Sequence, residues 1–190
     1  MANKVLETKG LTMRFGGLTA VDHLDLYVTE GEAVGLIGPN GAGKTTAFNM
    51  ISGAYKPSEG TVTFLGEDIT RLPAPEVCKR GIGRTFQVVR PFGDLSVLEN
   101  VMVGGFVHTN KAAESRKIAE DVLRLVGMDH IANRKAKDLT LPQRKRLEVA
   151  KALATKPKLL LLDEVLAGLN PTEIEEAIVL IRKINATGVS

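Results

Sequence analysis

The amino-acid sequence predicts an α/β protein with a mostly parallel sheet, an antiparallel β layer at its N-terminal end and a helical subdomain inserted between sheet segments. Three observations carry this expectation. Leu24, Leu26 and Val28 alternate with Asp25 and Tyr27, the period-two spacing of a half-buried strand. Leu159, Leu160, Leu161 and Leu162 form an unbroken apolar run, which suits a parallel strand buried on both faces. Between these two signals, over residues 88–127, the spacing becomes helical, with Ile118, Val122, Leu125 and Val126 marking one face.

Taken in order, residues 4–30 hold short apolar segments interrupted by Gly16-Gly17 and closed by the polar residues 29–32, as expected for a small antiparallel layer. Residues 33–37 read as a strand that ends at Gly38, followed by a glycine-rich turn and a helix from Thr46 onward. Lys56-Pro57-Ser58-Glu59-Gly60 is a turn signal, and residues 61–65 read as the next strand. A short helix over residues 75–80 ends at Gly81, and residues 82–87 return to the sheet, which places Gln87 at a strand end. Ser96 with Glu99 has capping-box spacing, and Thr140 with Gln143 resembles a second helix start, running to Pro157. Asn170-Pro171 opens the last helix, with Ile174, Ile178, Ile181 and Ile184 expected inward and Gly188 as its stop. The whole is expected to be one domain, residues 1–190, with the helical subdomain at residues 88–140.

Composition narrows the function classes. With 190 residues and 44% hydrophobic side chains, the chain can bury a substantial core, which argues against disorder. No apolar run reaches the ~18 residues that a membrane-spanning helix needs, and the N-terminus lacks an apolar signal core, so a cytoplasmic chain is expected. Cys78 is the single cysteine and has no Cys or His cluster around it, which fits a reducing compartment and argues against zinc. The net charge of +3 is scattered apart from Arg144-Lys145-Arg146, so no nucleic-acid partner is expected.

The chemistry concentrates in two places. In Gly38-Pro39-Asn40-Gly41-Ala42-Gly43-Lys44-Thr45-Thr46, the glycines permit backbone angles that turn successive N–H groups inward, so that loop and helix N-terminus can wrap a phosphate. Lys44 adds charge for the β- and γ-phosphates, and Thr45 offers a hydroxyl to Mg²⁺. The leucine run then delivers Asp163 and Glu164 to the C-terminal edge of a buried strand, where ligands of open α/β sheets bind. Asp163 suits the Mg²⁺ shell, and Glu164 suits a base that polarises the attacking water.

The order of these motifs resembles the nucleotide-binding subunit of an ABC transporter over nearly the whole chain, which implies a P-loop NTPase-type sheet. Residues 38–45 match the Walker A motif and residues 159–164 the Walker B motif. Gln87, in Gly83-Arg84-Thr85-Phe86-Gln87, matches the Q-loop, and Ala167-Gly168-Leu169-Asn170 matches the D-loop. The resemblance implies ATP and Mg²⁺ as cofactors, with Thr45, Gln87 and Asp163 toward the metal, Glu164 and Gln87 toward catalysis, and Phe15 stacked on adenine. It further implies a dimer with a second ATP-binding subunit, in which Thr140 and Gln143 reach the partner's nucleotide, and transmembrane permease subunits that hold the pair at the cytoplasmic face of the cell membrane. Residues 88–99, with Phe92 and Leu95, are expected to dock a permease helix. Residues 14–17, 83–87 and 167–171 look most like the subgroup that imports branched-chain amino acids.

Two departures stand out. The family signature Leu-Ser-Gly-Gly-Gln reads Leu139-Thr140-Leu141-Pro142-Gln143, and Pro142 has no N–H to donate to phosphate. Family members also continue into a further strand and a histidine that contacts the γ-phosphate, whereas this sequence stops at Val189-Ser190 and His23, His108 and His130 lie elsewhere. The expectation is therefore a C-terminally truncated ATPase subunit, weakly stable and slow in this form. The competing expectations are a nucleotide-gated binding module with little turnover and a soluble ABC ATPase outside transport.

Overall fold

The computed structural model describes residues 3–86 and 90–190, so the expectation placed on Gln87 lies outside the described residues. The chain begins with two long strands, β1 (Lys4–Phe15) and β2 (Leu18–Thr29), joined by a turn at Gly16-Gly17. Then come α1 (Lys44–Ile51), β3 (Glu59–Phe64), β4 (Glu67–Asp68), α2 (Ala74–Arg80) and β5 (Ile82–Arg84). The helical part follows as α3 (Val97–Gly105), α4 (Ala112–Val126) and α5 (Leu141–Ala154), with 3-10 turns at Asp129–Ile131 and Ala136–Asp138 between the last two. The strand β6 (Leu159–Leu161) and the helix α6 (Pro171–Asn185) complete the order.

The first four strands form an antiparallel sheet in the order β2-β1-β3-β4, while β5 and β6 pair in parallel. The β1–β2 ladder shifts register between Thr8 and Leu11 and again around Met13. Buried threonine hydroxyls satisfy backbone groups at those irregularities. Leu26 N donates to Thr8 Oγ1 at 2.9 Å, Thr8 Oγ1 donates to Leu24 O at 3.0 Å, and His23 N donates to Thr12 Oγ1 at 3.0 Å. Such pairing matters because a buried backbone group left unsatisfied costs about 1–3 kcal/mol.

Two hydrophobic clusters hold these elements. One joins Leu6, Leu11, Val62 and Phe64 of the antiparallel sheet to Ala47, Met50 and Ile51 of α1 and to Leu159 and Leu161 of β6. It thereby fixes the helix that follows the phosphate loop against the strand that leads to Asp163. The other joins Val97 and Val101 of α3, Ala119 and Leu123 of α4, and Leu147 and Ala150 of α5. Each buried Val, Leu, Ile, Met or Phe side chain contributes about 1.5–3 kcal/mol. Helix α3 crosses so closely that a Cβ on Gly104 would sit 2.4 Å from Lys151 O, and one on Gly105 would sit 2.6 Å from Ser115 Oγ.

Four sequence expectations are corrected in detail. Residues 33–37 do not pair into either sheet: Val34 is exposed, and Ile37 is 94% exposed. A cleft of about 610 Å³ separates residues 33–36 from residues 159–162, so no described backbone supplies the ladder bonds that would make this apolar run a strand. Ser190 sits at one edge of that cleft, where its carbonyl accepts from Leu160 N at 2.9 Å and its amide donates to Lys158 O at 3.0 Å. In α6 only Ile184 is buried, Ile174 and Ile181 are half-buried, and Ile178 is 37% exposed, so the helix packs by one end more than along a full face. The buried stripe of α4 is Ser115, Ala119, Leu123 and Val126, with Ile118 and Val122 at its margin, since small residues let α3 approach. Of the loop glycines, Gly41 and Gly43 take the left-handed conformation, with φ of 84° and 85°, and Gly38 does not.

Candidate active site

The phosphate loop is organised by its own backbone. Lys44 Nζ donates to Gly38 O at 2.6 Å and to Pro39 O at 2.8 Å, and Ala42 N donates to Pro39 O at 3.2 Å. These bonds fold the lysine back over the loop that it would share with a phosphate. Gly43 is the N-cap of α1, and among the described residues no side chain caps that N-terminus. Its first N–H groups and the positive end of its dipole are therefore free to meet an anion. A Cβ at Gly43 would lie 2.3 Å from Ala20 O, so only glycine lets the loop rest against β2. Gly38 is constrained in a milder way, since its Cβ would come within 3.2 Å of Ala42 Cβ.

The second half of the site comes from β6. Its parallel register with β5 sets Arg84 opposite Leu161 and brings Asp163 next to α1. Asp163 is 5% exposed; its Oδ1 accepts from Thr45 Oγ1 at 3.3 Å, its Oδ2 from Arg84 Nη2 at 3.3 Å, and its amide donates to Thr85 Oγ1 at 3.0 Å. Burial pushes the Arg84 guanidinium pKa down, and the Asp163 carboxylate opposes that. Thr45, Asn49, Arg84 and Asp163 open onto a cavity of about 450 Å³ that Phe86, Arg90, Glu148 and Lys151 also line. Glu164 follows in the left-handed region, with φ of 49°, and its carbonyl accepts from Lys145 Nζ of α5 at 3.0 Å. Burial lowers the Lys145 pKa, with Glu164 pulling the other way.

Residues 38–46 and Asp163 are thus brought together, with Glu164 next along the chain. Phe15 lies at the far end of β1, 47% exposed, and meets Tyr55 edge-on with ring centroids 5.8 Å apart, so it is not a core residue. Thr140 and Gln143 stand apart, at the start of α5, where Thr140 N donates to Gln143 Oε1 at 3.1 Å. Pro142 falls in the first turn of α5, where a missing N–H leaves no helical bond unmade.

Comparison with known proteins places this geometry. The model of the family described as ABC transporter matches residues 21–167. The chain belongs to the ABC transporter family. Among curated members, this ABC chain is 40% identical over 201 residues to the high-affinity branched-chain amino acid transport ATP-binding protein BraF of Pseudomonas aeruginosa, which covers 98% of this chain and 79% of BraF. Among solved structures, it is similar to the ADP conformation of the ABC transporter cassette MJ1267, with a TM-score of 0.88 and 32% identity over 98% of this chain and 78% of that one. It is also similar to the dimeric post-hydrolysis cassette MJ0796 bound to ADP and Pi, with a TM-score of 0.85 and 30% identity over 97% of this chain and 84% of that one. ABC cassettes bind nucleotide and hydrolyse ATP. No helix among the described residues of this ABC chain is long and apolar enough to cross a membrane.

The sequence motifs assign no task to Arg84 or Asn49, and they present Lys145 only as part of a basic triplet. The available signal was an arginine at the end of a short apolar strand, a position where a charge needs a buried partner.

Proposed function

We propose that this chain is the ATP-binding and ATP-hydrolysing subunit of an importer for branched-chain amino acids. The observation that carries the reading is the contact between Thr45 and Asp163 beside the uncapped N-terminus of α1. Two oxygen donors 3.3 Å apart suit adjacent positions on octahedral Mg²⁺, whose neighbouring ligands lie about 3 Å apart. The substrate class rests on the 40% identity to BraF.

In this reading the loop of residues 38–46, through its backbone N–H groups other than that of Pro39, and Lys44 hold the ATP phosphates, Phe15 stacks on adenine, and Thr45 with Asp163 and Gln87 would hold Mg²⁺. When bound, Mg²⁺ would supply charge neutralisation to the phosphates. Glu164 accepts a proton from water as its oxygen bonds to the γ-phosphorus, and the bond from that phosphorus to the β–γ bridging oxygen breaks, giving ADP and phosphate. Thr140 and Gln143 serve the nucleotide of a partner subunit across a dimer like that of MJ0796, and permease subunits hold the pair at the cytoplasmic face of the membrane.

Glu164→Gln in the chain assembled with its permease partners should keep Mg-ATP affinity and lose about 10²–10⁴ in phosphate release, the usual worth of a positioned base. An undiminished rate removes Glu164 from the mechanism. Lys44→Ala should weaken ATP binding roughly 10- to 100-fold, the loss of one or two hydrogen bonds to a charged group. Unaltered affinity overturns the phosphate-loop reading. The second reading, a nucleotide-gated module with little turnover, is favoured by Pro142; it predicts that wild type and Glu164→Gln release phosphate equally slowly.

A further inference from the structure

We propose that Arg84 is a positioning residue that fixes the Thr45–Asp163 pair for Mg²⁺, an inference that rests on the magnesium–nucleotide reading above. Its side chain is 7% exposed, and its guanidinium reaches two elements at once. Nη2 donates to Asp163 Oδ2 at 3.3 Å, while Nη1 donates to Asn49 Oδ1 at 2.6 Å and to Ser52 Oγ at 3.1 Å. Asn49 lies one helical turn beyond Thr45, so the two share a face of α1. One rigid planar fork therefore ties the face of α1 that carries Thr45 to the carboxylate at the end of β6.

The two carboxylate oxygens have separate assignments. Arg84 occupies Oδ2, which leaves Oδ1 directed at the Thr45 hydroxyl. A carboxylate this buried requires a partner charge, and without one it would be driven to protonate or to turn away. Arg84 carries a cost of its own, because its Nε is buried with no hydrogen-bond partner among the described residues. An apolar side chain of similar length would fill the same space without that cost, so packing does not account for a charge here. The fork does account for it: the two oxygens that would face Mg²⁺ are held at a set spacing before nucleotide arrives.

The test is a titration of the 190-residue chain with ATP, once in EDTA and once in excess Mg²⁺, the ratio of the two dissociation constants being the readout. Wild type should bind more tightly with Mg²⁺. Arg84→Met should reduce that ratio about tenfold, as loss of a partner behind a metal ligand does, with affinity in EDTA unchanged. Arg84→Lys should recover part of the ratio, since it restores the charge without the fork. Asn49→Ala keeps the charge pair and the longer bond to Ser52 but removes the shorter tie to α1, and it should give an intermediate ratio. Arg84→Met with the wild-type ratio overturns the proposal, as does an equal loss of affinity in both conditions, which would make Arg84 a folding residue. If Arg84→Met does not fold, Asn49→Ala decides, and a full wild-type ratio there overturns the proposal. A wild-type chain whose ATP affinity ignores Mg²⁺ overturns the site reading and this inference with it.

Discussion

Gly43 shows how narrowly single residues constrain the site. Its φ of 85° and the Ala20 carbonyl, 2.3 Å from where a Cβ would stand, leave no room for any side chain. Gly43→Ala should therefore cost of order 1–3 kcal/mol and displace the loop. A lower melting temperature together with weakened ATP binding is the expected result, and normal values of both would show that the loop tolerates the change. Lys44 differs, because its ammonium is held by carbonyl oxygens of its own loop and it belongs to neither hydrophobic cluster, so Lys44→Ala should leave the melting temperature nearly unaltered. Asp163 lies between these cases, buried like a core residue and bonded like a ligand.

At the scale of elements, helix starts are where local sequence and structure agree most closely. Ser96 Oγ accepts from Glu99 N at 3.2 Å, and Glu99 Oε2 accepts from Ser96 N at 2.7 Å, a reciprocal cap at the head of α3. That carboxylate is held below its ordinary pKa, chiefly by the Ser96 backbone bond. Ser96→Ala should cost about 1 kcal/mol, which lowers the melting temperature of a chain this long by about 2–4 °C. An unchanged melting curve would mean that packing of Val97 and Val101 alone holds α3. Asn170 repeats the device at α6, where Glu173 N donates to Asn170 Oδ1 at 3.0 Å.

At the scale of the whole molecule, two clusters divide the labour: one holds the phosphate loop against Asp163, and the other builds a helical face. On that face Phe92 is 51% exposed, with Lys151 Nζ 5.5 Å from its ring centroid, and Leu95 is also exposed. An apolar pair left open beside the site fits a helix-in-groove contact with a permease subunit. A photocrosslinker at Phe92 should join this chain to the permease in the assembled transporter. Crosslinks confined to the chain itself would instead place Phe92 against its own helices.

The sequence by itself determined the phosphate loop, the two acids after the leucine run, the antiparallel alternation and the helix caps, because each is a short pattern whose chemistry is local. Residues 38–46, Asp163 and Glu164 needed no partner to be recognised. Tertiary structure decided which of these meet. It spent Asp163 Oδ2 on Arg84 and Oδ1 on Thr45, turned Glu164 into the left-handed region, and left Phe15 exposed beside Tyr55. It also left residues 33–37 outside the sheets, since an apolar run becomes a strand only when a neighbouring backbone takes up its hydrogen bonds, and across the cleft from β6 none of the described residues does so.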